Sequence, residues 1–271
     1  MSAYDDRTRD LVAARALHGR LRALGQVRAP GSLLGSVLDE IGLAERYLSL
    51  QTPIGLVYVA FNGDRISGLA PAEDDKAFER TYHQRTGKTA RRAETAPPGL
   101  LEAIRRQLDG EPAGLSLDLR ALSAFERAVL LKALEIPRGE IRPYGWIARE
   151  IGRPGAVRAV GSALNKNPIP LLIPCHRVVR SDGQIGEYAF GAPMKRAILA
   201  SEGLDLARIE RLAREGIRYF ADPEGRSFCL PTCSWVLEQP AGSLLPLRSL
   251  RTALSEGYTP CSECRPAAIA V

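Results

Sequence analysis

Asn165-Lys166-Asn167-Pro168-Ile169-Pro170-Leu171-Leu172-Ile173-Pro174-Cys175-His176-Arg177-Val178-Val179 is the stretch on which the reading of this chain turns. An Asn/Pro-rich turn feeds a short apolar run, the pattern of a buried segment, and the run delivers a cysteine beside one of only three histidines. Downstream, Ser181-Asp182-Gly183 reads as a turn, and Gly186-Glu187-Tyr188-Ala189-Phe190-Gly191 as a flexible aromatic loop able to wall a pocket. Adjacent side chains in an extended segment point to opposite faces, so Cys175 and His176 are not a catalytic pair by adjacency alone. The residues by themselves leave two readings open: an inert buried thiol, since free cysteine is among the most buried residue types, or a reactive thiol on a pocket floor.

Working outward, 271 residues with 45% hydrophobic and 25% charged side chains suffice for two soluble domains with real cores. No apolar run approaches the roughly 18 residues of a membrane span, and Met1 to Asp10 is charged rather than signal-like, so a cytoplasmic monomer is expected. The net charge of +6 permits an anionic partner without identifying one. Of five cysteines, Cys229, Cys233, Cys261 and Cys264 fall together and leave Cys175 alone; in a reducing compartment that pattern means metal plus nucleophile rather than disulfides.

Residues 1–44 read as a helical extension, with Leu11, Ala14, Leu17, Leu21 and Leu24 at helical spacing; His18 there and His83 further on lack partner ligands and read as packing or surface residues. From 45 to 118 the pattern is α+β: strands Tyr47 to Gln51, Gly55 to Phe61 and Arg65 to Leu69 with a hairpin turn at Asn62-Gly63, then helices over Asp74 to Arg85 and Gly99 to Leu108. Between 119 and 205, Ser123 and Glu126 form a capping box ahead of a helix. Two short helices follow, Tyr144 to Ile151 and Ala156 to Leu164, split by Gly152-Arg153-Pro154-Gly155, the layout of a helix-turn-helix. In the second, Val157, Val160, Ala163 and Leu164 form the buried stripe, leaving Arg158, Ala159, Gly161, Ser162 and Asn165 for solvent or a partner.

Pro174-Cys175-His176-Arg177-Val178, with Asn167-Pro168 before it and the Gly186 to Gly191 loop after it, resembles the signature of the O6-alkylguanine-DNA alkyltransferases, and the resemblance extends over roughly residues 45 to 205. It implies a ribonuclease-H-like first half, a helical winged helix-turn-helix second half, and irreversible, once-only transfer of an alkyl group from guanine O6 (or thymine O4) in double-stranded DNA to Cys175, with no organic cofactor. It further implies that Arg158 fills the gap left by a flipped base, with Ala159, Gly161 and Ser162 beside the DNA backbone and Arg177 also on the DNA-binding side or pinning the active-site segment. Tyr144 would drive base rotation and protonate the guanine, and Asn167 would brace the turn. His176, held by Glu202, would draw the thiol proton through a water. Tyr188, Ala189 and Lys195 would line the substrate pocket. Alternatives of other classes are a lesion sensor lacking an acceptor cysteine, a methyl-responsive regulator, and a Cys-His hydrolase for which no oxyanion hole is evident.

In residues 206–271, a linker helix with Leu206, Ile209 and Leu212 on its apolar side leads to a hairpin, Ile217 to Phe220 and Arg226 to Cys229. The spacing Cys229-x3-Cys233-x27-Cys261-x2-Cys264 lets two knuckles converge on one tetrahedral ion, and four thiolates select zinc, one structural ion per chain. This segment resembles the zinc-binding domain of the Ada methyl-response proteins, in which the first cysteine can accept a methyl from a DNA phosphotriester. Leu230 stands where that family usually has Arg, and Ser234-Trp235 replace a basic stretch, so a purely structural or DNA-docking zinc module is the expectation rather than a phosphotriester acceptor.

Overall fold

The computed structural model describes residues 45–52 and 54–267, together with Val37; apart from Val37, which is helical, the extension expected over residues 1–44 lies outside the described residues. Strands β1 (Glu45–Thr52), β2 (Gly55–Asn62) and β3 (Arg65–Pro71) form an antiparallel meander whose edges are completed by β4 (Ala90–Arg92) beside β1 and β5 (Ser116–Leu117) beside β3, both parallel. Helix α1 (Asp75–Thr86) starts where Asp74 caps the Ala77 amide and ends at Gly87 in the left-handed region, within a residue of the expected Asp74 to Arg85. It covers one sheet face through an aromatic cluster of Tyr47, Tyr58, Phe78 and Tyr82. Helix α2 is Leu100–Leu108.

Two details differ from expectation. The ladder still pairs Asn62 with Arg65, so the hairpin turn is Gly63-Asp64, one residue later than the Asn-Gly pattern suggested, with Gly63 taking φ 59. The short edge strands β4 and β5 were not expected, because three and two residues are too few to show a period-two alternation.

The second half is helical. The Ser123–Glu126 capping box opens α3 (Ala124–Ala133), which packs against α4 (Tyr144–Glu150) and α5 (Val157–Asn165). Val160, Ala163 and Leu164 are buried as expected, but Val157 is exposed, since at the first position of α5 it precedes the helix's contact with the core. A two-strand parallel pair, β6 (Arg142–Pro143) with β7 (Val178–Val179), ties the start of α4 to the residues just past His176. Helices α6 (Ala192–Ser201) and α7 (Leu206–Glu215) follow.

The C-terminal module is a second sheet, in the order β10-β8-β9-β11, built from β8 (Tyr219–Asp222), β9 (Ser227–Cys229), β10 (Leu245–Leu247) and β11 (Thr259–Pro260) with the short helices α8 (Ser234–Glu238) and α9 (Leu250–Ser255). It has a small core of its own around Phe228 and Tyr258. Cys229, Leu230, Cys233, Val236 and Cys264 nevertheless belong to the main core, continuous with Trp146, Ile147 and Cys175. The fold as a whole is mixed α+β.

Gly68 on β3 permits α1 to sit close: a Cβ there would lie 2.6 Å from Cε2 of the buried Tyr82, whose hydroxyl donates to Ser67, which in turn donates to Glu45. With the ring so held, Gly68→Ala overpacks the sheet–helix contact and should cost about 1–3 kcal/mol, read as a lowered thermal midpoint.

Candidate active site

Asn167 organises the site. Its side-chain oxygen accepts from the Ile169 amide at 3.0 Å, closing a turn, and its amide group donates to the Ile173 carbonyl at 2.9 Å and to Cys175 Sγ at 3.2 Å. The turn is anchored to the first half: β3 donates from the Leu69 amide to the Pro168 carbonyl at 2.9 Å, and Arg85 of α1 donates to the Asn167 carbonyl at 3.0 Å. Inside the bracket Leu171 adopts φ 73, the left-handed region, a backbone strain of order 1 kcal/mol or more that the surrounding bonds and burial hold in place. Arg85 and Leu69 were missed in the sequence because their contribution is a long-range contact that no local pattern records.

Cys175 opens a single 3₁₀ turn, Cys175–Arg177. Burial pushes its thiol up, only partly offset by the Asn167 donor and the Lys195 charge, so the resting group is a protonated thiol that needs a base. His176 follows, and the turn rather than an extended strand sets its direction. Its Nε2 lies 2.8 Å from Glu202 Oε1. Glu202 is also gripped by Arg177, whose Nε and Nη2 donate at 3.0 and 2.8 Å while Nη1 donates to the Ile136 carbonyl at 2.7 Å. Burial opposes ionisation of Glu202, but the hydrogen bonds from His176 and Arg177 outweigh it and hold the carboxyl at about 2. An ionised Glu202 accepts only, so Nε2 carries the imidazole proton and Nδ1 is left as the basic nitrogen. Burial lowers the pKa of His176, which keeps it neutral, and Nδ1 has no protein hydrogen-bond partner.

A cavity of about 220 Å³ opens over the sulfur, lined by Tyr144, Gly161, Leu164, Asn165, Cys175, Glu187, Tyr188 and Ala189. Tyr144 comes from the start of α4, Gly161 to Asn165 from α5, and Glu187 to Ala189 from the loop before α6. Tyr188 meets His176 and Phe190 edge-on, with its hydroxyl buried towards Cys175. One expected placement is corrected, and of the two roles expected of Arg177 one is favoured. Lys195 does not line the cavity: it is 1% exposed, and Nζ donates to the carbonyls of Val178, Ile185 and Glu187 at 2.6, 2.7 and 3.3 Å, tying the Tyr188 loop to the segment after the nucleophile. Desolvation lowers that lysine to about 8. Arg177 is buried with its guanidinium spent on Glu202 and Ile136, so it pins the active-site segment and is not available to DNA. Arg158, Ala159 and Ser162 are exposed on α5, with Gly161 half-exposed beside Tyr144.

Far along the sequence, Cys229, Cys233, Cys261 and Cys264 bring their sulfurs within 4.8 Å of one another, with only Cys261 partly exposed. The Leu230 amide donates to Cys264 Sγ at 3.3 Å, and the Cys229 thiol is pushed up chiefly by its hydrogen bonds to Cys233 and Cys264. Four sulfurs packed so closely cannot all ionise without a cation, and they can hold one.

Because the Glu202 carboxyl sits at about 2 against an ordinary 4.5, its stabilising contribution is present above pH 4.5 and is lost as the pH falls towards 2. Urea denaturation should therefore show Glu202→Gln less stable than the unaltered protein at pH 7, with the gap narrowing by up to roughly 3 kcal/mol between pH 5 and pH 2.

Residues 124–204 match the family described as 6-O-methylguanine DNA methyltransferase, DNA binding domain. A methylated-DNA–protein-cysteine methyltransferase of Mycobacterium bovis is 37% identical over 162 residues, 58% of this chain and 91% of the relative; one from Methanosarcina barkeri is 36% identical over 161 residues, 58% and 96%. Among solved structures, Mycobacterium tuberculosis OGT in complex with DNA aligns at 35% identity and a TM-score of 0.47, covering 58% of this chain and 92% of that one. With a relative matched over nine-tenths of its length at this identity, the chain belongs to the methylated-DNA–protein-cysteine methyltransferases.

Proposed function

We propose that this protein repairs DNA by moving the alkyl group of O6-alkylguanine onto Cys175, with the residues around the cavity in the following roles. The observation that carries the reading is a buried thiol on the floor of a cavity walled by the helix pair α4–α5, bonded to Asn167 and followed in the chain by a hydrogen-bonded His176–Glu202–Arg177 cluster. The first half acts as a ribonuclease-H-like scaffold and the second as a winged helix-turn-helix that presents α5 to DNA.

The alkylated O6 is hidden in the duplex, so the base is extruded into the cavity at an unstacking cost of a few kcal/mol. Arg158, exposed on α5, occupies the gap in the stack, while Ala159, Gly161 and Ser162 are small enough to let the phosphate backbone approach. His176 Nδ1 takes the Cys175 proton through one water, and Glu202 stabilises the imidazolium that results. The thiolate attacks the alkyl carbon: a C–S bond forms as the C–O6 bond breaks, and O6 or the ring of the departing guanine takes a proton from the Tyr144 hydroxyl. The product is a thioether that nothing in the site reverses, so each chain acts once.

The four cysteines are read as a structural zinc site of Ada-like type. Zinc–sulfur bonds of about 2.3 Å place tetrahedral sulfurs about 3.8 Å apart, within the observed spread. The module favours a structural role over DNA docking by its charge: between 216 and 267, Arg218, Arg226, Arg248, Arg251 and Arg265 are balanced by Asp222, Glu224, Glu238, Glu256 and Glu263.

Nucleoside analysis of a duplex incubated with the protein should show O6-methylguanine lost one-for-one with protein added. Cys175→Ala should bind the duplex and leave the lesion intact. Unaltered protein that binds and removes nothing would make it a lesion sensor. Arg158→Ala should slow repair of duplex at least tenfold while changing attack on free O6-benzylguanine about twofold or less; equal losses would refute the wedge role. Metal analysis should find one zinc per chain and none in Cys261→Ser.

A further inference from the structure

The four-cysteine module is fastened to the transferase at the segment that carries the pocket tyrosine. Both of its knuckles make the attachment. In the first, Thr232, between Cys229 and Cys233, uses one hydroxyl to accept from the Ile141 amide at 3.0 Å and to reach the Ile141 carbonyl at 3.3 Å. In the second, the Cys264 carbonyl accepts from Trp146 Nε1 at 3.0 Å. Ile141 and Trp146 flank Tyr144 by three and two residues.

This attachment is dry and highly connected. Thr232 and Trp146 are each 1% exposed. The Trp146 ring is bracketed by two guanidinium groups, Arg142 at 5.8 Å and Arg265 at 5.3 Å from the ring centre. Arg265, the residue after Cys264, adopts φ 44 and pairs with Glu150 on α4 at 3.0 Å and with Glu135, just past α3, at 2.8 Å. Arg149, also on α4, donates to the Pro266 carbonyl at 2.9 Å. The first helix of the DNA-facing pair is thus held from behind by the module, while its N-terminal residue, Tyr144, faces the cavity from the other end. The same segment is paired through β6 to β7, two residues beyond His176.

A module with balanced charge adds no electrostatic reach towards DNA, yet it commits two buried hydrogen-bonding groups to one short segment of the active site. We propose that Trp146 and Thr232 are positioning residues through which the four-cysteine knuckles set the place of Tyr144 and α4, so that efficient transfer from duplex DNA depends on the docked module. The inference rests on the reading above in which Tyr144 and α4–α5 engage the DNA. Positioning matters most when the enzyme must grip and rotate a nucleotide in a duplex, and least when a free base diffuses into the cavity.

The test uses the full chain, with Trp146→Phe, which removes the indole donor, and Thr232→Val, which removes the hydroxyl at nearly constant shape and keeps the question open if the tryptophan variant folds poorly. Single-turnover rates are measured on an O6-methylguanine duplex and on free O6-benzylguanine, alongside zinc content and thermal midpoint. Each variant should keep its zinc, react with duplex about tenfold more slowly, and react with the free base within about twofold of the unaltered protein. Combined with Tyr144→Phe, the duplex losses should not multiply, since both changes act through one residue. Equal losses on the two substrates, losses that multiply with Tyr144→Phe, or unchanged duplex rates would overturn the proposal. The unaltered protein on duplex is the control: its failure to transfer would refute the reaction itself, whereas normal transfer with unaffected variants refutes the positioning role alone.

Discussion

The constraint on which the site depends is the set of hydrogen bonds made by one buried amide, Asn167. With its oxygen on the Ile169 amide and its nitrogen on the Ile173 carbonyl and the Cys175 sulfur, it folds a Pro-rich, strained turn into the platform that presents the thiol. The first half of the chain contributes at the same point, through Leu69 and Arg85. A buried amide left half-satisfied would cost about as much as a lost hydrogen bond, so every partner of Asn167 reinforces the others. This gives the β-sheet half a reason to exist in a protein whose chemistry sits wholly in the helical half.

A second constraint is electrostatic. Burial by itself would keep Cys175 protonated and make an ionised Glu202 costly. Arg177, fixed by Ile136 and bonded to Glu202, makes the carboxylate the stable form; that carboxylate in turn fixes the histidine tautomer. The thiol is therefore held protonated in reserve, and the histidine that follows it is held neutral with Nδ1 unprotonated. A permanently ionised cysteine would be exposed to indiscriminate alkylation, which a once-only acceptor could not survive.

Much of this was legible in the sequence. The Asn/Pro turn, the apolar run and the isolated cysteine marked the candidate site, and the helix expected over Asp74 to Arg85 and the Ser123–Glu126 capping box placed helices to within about a residue. The paired cysteine spacings marked a cluster that the fold does bring together. What stayed hidden were interactions between residues far apart. Lys195 reads as a pocket residue but is consumed by three carbonyls, and Arg177 reads either as a DNA contact or as a pin for the active-site segment until its bonds to Glu202 and Ile136 decide for the pin. Neither the edge strands, too short for periodicity, nor the attachment of Cys264 to Trp146 across 118 positions leaves a local trace. Sequence pattern reports the residue type and its neighbours; the partner that decides a charged side chain's role is supplied by the fold.

The central claim is that Cys175, and no other group, ends up carrying the alkyl carbon. The most direct measurement is the intact mass of the protein after incubation with a duplex containing O6-methylguanine, followed by peptide mapping of the modified chain. The account predicts the mass of one added methyl group, located on Cys175. An unchanged mass despite tight binding, or a methyl found on one of the four clustered cysteines instead, would contradict it.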